Sequence, residues 1–554
     1  MKNDGITKKK SLKIIVLVYA IFIYLNLNIK CEHLNELNKN DKANLDIYKS
    51  VIIDAGSTGT RVHIYNYKII NDSENIKIYI PSISYKASPG LVYILNNYFS
   101  DDKETFYDYF KKIKNFINEN IEKKERSSTV ILFRASGGFR LLSISKSKKY
   151  VNFLKTYLYN NFNEFLLIDE LLIKVLSGKE EAILSFVSIY SLLEKSLDSP
   201  VIFTNDNKNS NSNTINNVNT ENNVNLSNEI NENNKINIMD NSNNENKNNS
   251  NDVMGVIEIG GASAQIVIKI PQSKMNDDIL NLFNYRLKEN KKNSIIKENY
   301  KNKNIVKIKL FHKNIFLYCK SYLALGRQNA MKTYLHYVVH KNKKEKKLKK
   351  FIPVPCFPRN FKFFITNLYK TSIEEDIDDY DEKRVLKKNE YVGVGTGDLN
   401  LCRKEIQVIL NYSEIDELPF KLKKFIKLYA IENFHHFATD ILNISENYNP
   451  LLINTNMYME KAEKLCPLTV DEIRKLVNPN ANIEKSQTSC FGLVFLYEFL
   501  RHVFKIDSAI SFYSTNYINK TIITWTVAVL LMEIPPYFDL IKKQKKKNYY
   551  SDEL

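Results

Sequence analysis

The sequence has few glycines and few prolines: 15 and 13 among 554 residues. Collagen-like chains need glycine at about every third position, and low-complexity disordered chains are rich in both residues, so neither class describes the body of this protein. Beyond the N-terminal 30 residues, the main apolar run extends only from Ile522 to Met532, and Pro535 and Pro536 follow it. This run is too short to cross a bilayer and is predicted to be a buried core element.

Core-forming side chains are plentiful instead. Hydrophobic residues make up 44% of the sequence, and aromatic residues make up 12%. A single hydrophobic core stops growing at about 250–300 residues, which this chain exceeds. The composition therefore predicts a folded protein with more than one lobe.

The net charge is strongly positive, +18 from 80 Lys and Arg against 62 Asp and Glu. Such a charge can indicate binding to nucleic acid or to a membrane surface, so its position along the chain matters. Residues 1–30, 341–350 and 542–554 supply 14 of the 18 net charges. Because these segments lie outside the motifs described below, we interpret the basicity as compositional bias on a solvated surface and expect no nucleic-acid partner.

The two ends of the chain carry targeting features. Lys8 to Lys10 precede an apolar run from Ile14 to Leu27, which is typical of a secretory signal within residues 1–30. The run is shorter than the roughly 20 residues of a spanning helix, which favours a cleaved signal peptide. A retained signal anchor, which would attach the chain to a membrane, stays open. Residues 551–554 resemble the tetrapeptide that a KDEL-type retrieval receptor binds, so the endoplasmic reticulum lumen is the expected location.

An oxidising lumen permits disulfides, and the sequence has six cysteines. Cys31 lies beside the expected cleavage site, so five cysteines remain and one of them should be unpaired. Glycosylation sites of the form N-x-S/T include Asn71, Asn411, Asn443 and Asn519.

Residues 205–252 differ in composition from the rest of the chain. Close to half of them are asparagine, mixed with serine, glutamate and threonine, and they contain no sizeable apolar cluster. Such a segment cannot bury enough apolar surface to offset its ordering entropy. We predict a disordered surface insertion, with a partner-binding tail as the alternative.

An internal repeat is the most informative feature. The segment from Ile53 to Ile64 aligns without gaps on the segment from Ile257 to Ile268. Each copy has an apolar run, a carboxylate (Asp54 or Glu258), a glycine two residues later, several small residues and a second apolar run. This pattern is typical of a hairpin whose tip lets backbone N–H groups approach an anion. Two such hairpins facing each other would hold a phosphate chain and a metal ion; ordinary tight turns are the alternative.

Five motifs resemble, in order, those of the apyrase, or nucleoside triphosphate diphosphohydrolase, family. They are DAGSTGTR (Asp54 to Arg61), ASGGFRLL (Ala135 to Leu142), GKEEA (Gly178 to Ala182), EIGGASAQI (Glu258 to Ile266) and SYLALG (Ser321 to Gly326). Likenesses extend from about residue 50 to residue 532. The resemblance implies a divalent-cation-dependent enzyme that hydrolyses nucleoside di- and triphosphates to monophosphate and phosphate in the secretory lumen.

The same resemblance implies an α/β fold of two lobes, actin/hexokinase-like (ribonuclease H-like), with the active site in the cleft between them. Lobe I would comprise residues 45–175 and 508–540. Lobe II would comprise residues 176–507 and contain the insertion at 205–252.

The cysteine spacing also resembles that of the family. It implies disulfides between Cys356 and Cys402 and between Cys466 and Cys490, with Cys319 left over. Buried free thiols at each pair are the alternative.

Phosphoryl hydrolysis needs a water held in line, a proton acceptor, donors for the phosphate oxygens and a cation. By resemblance, Glu181 is the general base, and Gln265 and Ser263 orient the attacking water. Glutamine can both accept from water and donate to it without taking its proton. An ordinary carboxylate stabilised at a helix N-terminus is the alternative for Glu181, and its neighbour Glu180 is expected to be exposed.

Asp54 and Glu258 match the family's two cation-holding carboxylates, which act largely through water. That mode suits Mg²⁺ and is tolerated by Ca²⁺. For Arg61, a phosphate contact and a structural ion pair both stay open. The implied phosphate-binding residues are Ser57, Thr58, Gly59, Thr60, Arg61, Ser136, Gly260, Gly261 and Ala262.

The nucleoside end is less well marked. Arg327 and Gln328 follow SYLALG at the position where the family contacts nucleoside. Phe434, His435 and His436 lie in a region where an aromatic side chain usually stacks on the base. Adjacent histidines on a helix point about 100° apart and no third ligand is evident, so we predict a pocket edge or core packing and not a metal site.

Some residues depart from the family pattern. Glu258 replaces the usual Asp and is one methylene longer, and Ala264 replaces a Thr. Two other functions stay open: an exopolyphosphatase or guanosine pentaphosphatase, whose motifs also include a GxEEA-like element, and a non-catalytic nucleotide-binding pseudoenzyme. SYLALG, the segment PCFPR (Pro355 to Arg359) and the cysteine pattern argue against the first, whereas the unusual Glu258 keeps the second open.

Overall fold

A computed structural model describes thirteen segments of the chain: residues 47–70, 75–193, 201–205, 254–270, 297–298, 304–310, 313–344, 350–365, 390–410, 427–445, 450–508, 510–518 and 521–551. Several sequence predictions lie outside these segments: the signal at 1–30, nearly all of the insertion at 205–252, the end of the retrieval signal at 552–554, and three of the four glycosylation sites. Asn443 is described and exposed. No helix in the described part of the chain is both long and apolar enough to cross a bilayer.

The first sheet has six strands in the order β5-β4-β1-β2-β3-β6. Its centre is an antiparallel meander of β1, β2 and β3, and β4 adds to β1 in parallel. The strands are Ile47–Ala55 (β1), Thr60–Ile70 (β2), Asn75–Ala87 (β3), Val130–Ala135 (β4), Ile173–Val175 (β5) and Val201–Asn205 (β6).

Helices cover this sheet because their apolar residues recur at helical spacing. In Lys103–Asn120, the residues Phe106, Phe110, Ile113 and Ile117 are all fully buried, and Asp102 caps the N-terminus. Burying one such side chain contributes about 1.5–3 kcal/mol. The helices of this region are Leu91–Tyr98 (α1), Lys103–Asn120 (α2), Lys123–Arg126 (α3), Gly137–Arg140 (α4), Ile144–Asn161 (α5), Asp169–Leu172 (α6) and Gly178–Leu193 (α7).

The second sheet has eight strands in the order β16-β17-β15-β7-β8-β11-β10-β9. Around its first hairpin, the order β11-β8-β7-β15-β17 repeats the order β3-β2-β1-β4-β5 of the first sheet, with the same parallel and antiparallel pairings. The strands are Met254–Ile259 (β7), Ser263–Lys269 (β8), Lys297–Glu298 (β9), Ile305–Leu310 (β10), Lys313–Leu323 (β11), Lys427–Glu432 (β15), Leu451–Asn454 (β16) and Ser511–Ser514 (β17). The sequence repeat therefore marks two related lobes.

Smaller sheets and further helices complete the second lobe and the C-terminal region. The remaining strands are Phe351–Val354 (β12), Lys362–Ile365 (β13), Tyr391–Gly395 (β14), Tyr517–Ile518 (β18) and Thr521–Ile522 (β19). The helices are Arg327–Lys344 (α8), Leu399–Leu410 (α9), Asn433–Asp440 (α10), Thr455–Leu465 (α11), Val470–Arg474 (α12), Ile483–Gln487 (α13), Ser489–His502 (α14), Thr526–Glu533 (α15) and Phe538–Ser551 (α16).

Both predicted disulfides are present. Cys356 bonds to Cys402 on α9, and Cys466, at the end of α11, bonds to Cys490 on α14. Cys319 on β11 is buried and is the free cysteine of the described chain. The first disulfide therefore joins the turn after β12 to α9, and the second joins α11 to the largely buried helix α14.

The lobes meet through α7 and α15, which share one hydrophobic core with residues of both sheets. The part of the predicted apolar run that forms α15 is buried, since Val527 to Leu530 are almost completely inaccessible to solvent, whereas Ile522 at its start is exposed. A buried ion pair between Arg134 on β4 and Glu533 ties α15 to the first sheet. The candidate site lies in the cleft above these helices.

Strand pairing shifts two expected boundaries. β17 pairs with β15 in the second sheet, so the chain returns toward the first lobe after residue 514 and not at 508. β6 pairs with β3 in the first sheet, whereas β7 belongs to the second. The segment around 206–253 thus connects the two lobes and does not interrupt the second. The sequence could not reveal this, because β6 is defined only by its distant partner.

Candidate active site

Both repeated segments form the predicted hairpins, and they do so in the same register. Across β1 and β2, Asp54 pairs with Arg61. Across β7 and β8, Glu258 pairs with Gln265. Each carboxylate therefore lies just before its hairpin tip, with a polar residue directly opposite on the next strand.

The tip of the second hairpin is held from behind by the end of β11 and the start of α8. The carbonyl oxygens of Gly260, Gly261 and Ala262 accept hydrogen bonds from the backbone N–H groups of Arg327 (2.9 Å), Asn329 (3.1 Å) and Ala324 (2.9 Å). Because C=O and N–H of a trans peptide unit point in opposite directions, this leaves the next N–H groups facing the cleft. Ala324 of the SYLALG motif and the start of α8 therefore hold the tip in a geometry that suits an anion.

The two hairpin tips approach each other closely. A side-chain carbon added at Gly261 would lie 2.5 Å from Oγ of Ser57 in the first tip, so a larger residue there would displace the Ser57 side chain. A narrow cavity of about 60 Å³ remains between the tips. Its walls include Ser57, Thr58, Arg61, Ser136, Gly260, Gly261, Ala262, Ser263 and Glu181.

Two of the predicted phosphate-binding residues do not line this cavity. Gly59 lies against the carbonyl oxygen of Ala87, and Thr60 is fully buried in the β1–β2 ladder. The physical reason is strand alternation, since Thr60 opens β2 and its side chain points to the face opposite that of Arg61. The other predicted tip residues reach the cavity.

Glu181, Ser263 and Gln265 are brought together, and all three are buried. Nε2 of Gln265 donates to Oε2 of Glu181 (3.0 Å) and to Oγ of Ser263 (2.8 Å). Arg140, from the ASGGFRLL motif, donates to the same two oxygens at 2.6 Å and 2.8 Å. Glu180 instead forms an ion pair with Lys174. The hydrogen-bonded unit that we call the Glu181 cluster consists of Glu181, Ser263, Gln265 and Arg140.

Arg140 is a site residue that the sequence analysis missed. Its position in ASGGFRLL was visible, but the three residues between it and Ser136 gave no sign that its side chain contacts Glu181 on α7. A further hydrogen bond, from Nη1 of Arg140 to the carbonyl oxygen of Leu176 (3.0 Å), fixes its side chain. The guanidinium therefore presents a positive charge beside the narrow cavity.

Glu432 is a second missed residue. It ends β15, which pairs in parallel with β7, so Glu432 lies beside Ile259 at the hairpin tip. Its backbone has a φ of 59°, an unfavourable value for a residue other than glycine, and its N–H donates to Oδ1 of Asn516 (3.0 Å). No motif surrounds Glu432 in the sequence, and only the pairing of β15 with β7 brings it into the cleft.

Negative charge predominates where Asp54 and Glu258 meet. Asp54, Glu181, Glu258 and Glu432 all border the narrow cavity, against the single lining cation Arg61, whose Nη1 lies 3.8 Å from Asp54. Oδ1 of Asp54 is buried and accepts no hydrogen bond from any described residue. Buried carboxylates need compensating positive charge, so these residues fit a divalent cation.

The pKa values of the two carboxyl groups reflect this crowding. Burial raises the pKa of Asp54 to about 7; the Arg61 cation lowers it, and the Glu181 and Glu432 carboxylates raise it further. Burial also raises the pKa of Glu258 well above its usual value, with Glu181 and Glu432 adding to the rise. Within the described residues, no three His, Cys, Asp or Glu side chains are placed to ligate a metal directly. The arrangement thus suits a hydrated ion.

A wider cavity of about 380 Å³ continues from the narrow one and shares Asp54, Arg61, Glu258, Glu432 and Trp525 with it. Its volume lies within the range of small-molecule sites. Other parts of its wall come from the first lobe, α10 and the C-terminal region, including His63, His435, His436, Thr439, Asp440, Asn516 and Tyr517. Nε2 of His63 is buried and has no hydrogen-bond partner among the described residues.

The three residues predicted to contact nucleoside do not line either cavity. Phe434 is fully buried in the second-lobe core, so it cannot stack on a base. The guanidinium of Arg327 is committed to internal partners: Asn433 (3.1 Å), Thr488 (3.2 Å) and Glu484 (3.0 Å). The side-chain oxygen of Gln328 lies beside Gly261, on the side that faces Ser57. Helix periodicity explains the first error, because α10 turns His436 outward and Phe434 inward.

Comparisons with known proteins agree with this geometry. Residues 40–536 match the model of the GDA1/CD39 (nucleoside phosphatase) family. Nucleoside-diphosphatase mig-23 of Caenorhabditis briggsae is 22% identical over 95% of this chain and 82% of that protein. Ectonucleoside triphosphate diphosphohydrolase 4 of Homo sapiens is 19% identical over 90% of this chain and 74% of that protein.

The fold is similar to that of a nucleoside triphosphate hydrolase from Neospora caninum, with a TM-score of 0.53 and 12% identity over 94% of this chain and 100% of that chain. This likeness confirms the predicted two-lobe, actin/hexokinase-like α/β fold. The match of the family model to residues 40–536 confirms the resemblance drawn from the motifs. The chain therefore belongs to the GDA1/CD39 family of nucleoside phosphatases.

Proposed function

We propose that this protein hydrolyses nucleoside diphosphates, and also nucleoside triphosphates, to nucleoside monophosphate and phosphate. The observation that carries the proposal is the Glu181 cluster, which lies between two hairpin tips of small residues that suit phosphate binding. The terminal phosphate occupies the narrow cavity, where the N–H groups of the second tip and the hydroxyls of Ser57 and Ser136 donate to its oxygens.

In this proposal Glu181 accepts the proton of the attacking water. Both of its described hydrogen bonds end on Oε2, which leaves Oε1 for the water molecule. Gln265 and Ser263 orient that water, and the bond from the terminal phosphorus to the bridging oxygen breaks. Arg140 holds Glu181 and Ser263 at a fixed separation and offsets charge that develops on the phosphoryl oxygens.

Asp54 and Glu258 hold the cation, mainly through water. Mg²⁺ or Ca²⁺, when bound, neutralises charge on the phosphate oxygens. The unpartnered Oδ1 of Asp54 and the excess of carboxylates support this role. Glu258 is compatible with it despite its additional methylene, because its carboxylate borders the same cavity as that of Asp54.

The wider cavity takes the nucleoside. It is continuous with the narrow cavity through Glu432 and Trp525. Trp525, Tyr517 and His436 offer flat surfaces to a base, and Asn516 and Asp440 offer polar groups. These residues replace Arg327, Gln328 and Phe434 in the proposed nucleoside site.

The proposed location is the lumen of the secretory pathway, and more narrowly the endoplasmic reticulum, with retrieval by a KDEL-type receptor. Two disulfides support an oxidising compartment. Replacing Asp552, Glu553 and Leu554 with alanines should move the protein from the cell to the medium. Unchanged retention would contradict the receptor part of the proposal alone.

The activity is tested by phosphate release from UDP, GDP, ADP, their triphosphates and polyphosphate, in Mg²⁺, Ca²⁺ or EDTA. Metal-dependent release from the diphosphates is expected, and Glu181→Gln should lower kcat by about 10²- to 10⁴-fold. Glu180→Gln is the matched control and should retain activity, since Glu180 pairs with Lys174 outside the cluster. Release from polyphosphate alone, or equal activity of Glu181→Gln, would contradict the proposal.

A further inference from the structure

Ser185 forms a contact that the reaction described above does not use. Its hydroxyl donates to Oε2 of Glu258 at 2.7 Å, across 73 residues of sequence, and both side chains are buried. Ser185 lies four residues after Glu181 on α7, which is one helical turn. The two side chains therefore leave the same face of the helix.

These two positions meet neighbouring residues of the second hairpin. Glu181 accepts from Gln265 on β8, and Ser185 donates to Glu258 on β7. Glu258 and Gln265 are direct cross-strand partners. One turn of α7 is thus joined to one cross-strand pair by two hydrogen bonds, the first through the general base and the second through a cation-holding carboxylate.

The first hairpin orients its carboxylate differently. Asp54 has one fewer methylene than Glu258 and faces the cation Arg61 across its own strand pair. In the second hairpin, the residue opposite the carboxylate is the neutral Gln265, which is engaged with Glu181 and Ser263. The longer Glu258 has an extra rotatable bond and no such cation opposite it, so it requires another partner to fix its direction.

We propose that Ser185 is a positioning residue that fixes the Glu258 carboxylate for cation binding, and this inference rests on the proposed function. The hydroxyl holds Oε2 and so directs the other oxygen of Glu258 toward the hydrated ion. Because Ser185 and Glu181 share a helical turn, the cation and the general base keep a constant separation. Loss of an outer partner of this kind typically costs about 10- to 100-fold in metal affinity.

The test uses the full chain and four variants: Ser185→Ala, Ser185→Thr, Glu258→Asp and the double variant Ser185→Ala/Glu258→Asp. Calorimetry measures Mg²⁺ binding in the presence of a methylene-bridged nucleoside diphosphate, which is not hydrolysed. Ser185→Ala should weaken Mg²⁺ binding by about 10-fold or more and shift the Mg²⁺ dependence of phosphate release equally, while kcat at saturating Mg²⁺ changes little. Ser185→Thr keeps the hydroxyl and should restore the affinity.

Glu258→Asp provides the second part of the test, because the shorter side chain places its carboxylate farther from the Ser185 hydroxyl. In that background, Ser185→Ala should have no additional effect on Mg²⁺ affinity, so the two changes should be non-additive. Ser188→Ala is the matched control. Ser188 is a buried serine on the same helix, but its hydroxyl donates to the carbonyl oxygen of Thr524 (2.8 Å) and not to Glu258.

Several results would overturn the inference. Unchanged Mg²⁺ affinity in Ser185→Ala, or equal effects of Ser185→Ala and Ser188→Ala, would mean that the Ser185 hydroxyl only stabilises the fold. Additive effects in the double variant would mean that Ser185 acts independently of Glu258. If wild-type protein binds Mg²⁺ with the analogue but releases no phosphate from any nucleotide, the proposed function fails, while the calorimetric comparison still tests Ser185.

Discussion

The two hairpins share a sequence pattern but are held in different ways. The first tip has half-buried Ser57 and Thr58, and Arg61 beside it is 37% exposed. The second tip is anchored by three backbone hydrogen bonds from behind, and Gln265 beside it is only 2% exposed. We infer that the two hairpins have different roles. The first supplies a mobile charged side chain that can adjust to the substrate, and the second supplies fixed geometry.

Gln265 and Arg61 occupy equivalent positions of the repeat, and replacing each one with alanine should separate these two roles. Gln265→Ala loses the donor shared by Glu181 and Ser263, so kcat should fall by about 10²-fold with little change in KM. Arg61→Ala removes exposed charge near the phosphates and should mainly raise KM. Steady-state kinetics with a nucleoside diphosphate at saturating Mg²⁺ measures both.

Gln265→Glu is the control for size, since it keeps the shape but adds a carboxylate beside Glu181. It should be at least as impaired as Gln265→Ala. If Arg61→Ala lowers kcat as much as Gln265→Ala does, the proposed division between the hairpins is wrong.

The hairpins also differ at His63, whose counterpart in the repeat is Val267. Burial and the Arg61 cation lower the pKa of His63 to about 4, below the ordinary value of 6.5. The unfolded chain therefore binds more protons between pH 4 and pH 6.5, so the free energy of unfolding should fall as the pH falls through that window. The contribution is on the order of 3 kcal/mol.

His63→Gln should lose less stability than wild type between pH 7 and pH 4.5, measured by urea unfolding in EDTA. His340→Gln, on the exposed face of α8, is the matched control and should follow the wild-type curve. Parallel curves for His63→Gln and wild type would show that His63 does not contribute to the acid sensitivity.

The third difference is how tightly each tip is packed. A Cβ at Gly326 would overlap backbone atoms of Gly261 and Ala262, whereas one at Gly59 would lie 3.0 Å from the carbonyl oxygen of Ala87. Gly326→Ala should therefore destabilise the fold by about 1–3 kcal/mol and lower kcat, since the second tip is displaced. Gly59→Ala should cost less. Chemical denaturation and phosphate release measure both, and a larger loss in Gly59→Ala would contradict the idea that the second tip is the more rigid.

The sequence predicted the site best where residues are close together in the chain. The gapless repeat located both hairpins, their carboxylates and most of the residues at their tips, because a hairpin is formed by neighbouring residues. Resemblance to family motifs added the disulfide pairs and Glu181, which the repeat alone could not suggest. The position of Thr60 outside the narrow cavity was not predictable, because a short motif does not show which strand face a residue occupies.

Residues that reach the site from distant elements were not predictable in this way. Arg140 depends on α4 lying against α7, and Glu432 depends on β15 pairing with β7. Arg327 and Phe434 failed as nucleoside contacts for the opposite reason, since tertiary packing committed them to the interior.

The amino-acid sequence by itself determined the family, the two-lobe fold, the two hairpins and the disulfides, because each depends on local spacing or on motifs that keep their order along the chain. The tertiary structure alone decided which side chains complete the cleft. Burial in a shared core fixes α7 between the sheets, which brings Glu181 to Arg140 and Ser185 to Glu258. The pairing of β15 with β7 brings Glu432 to the same cleft. Such contacts are set by packing and pairing of elements distant in the chain, which no local pattern encodes.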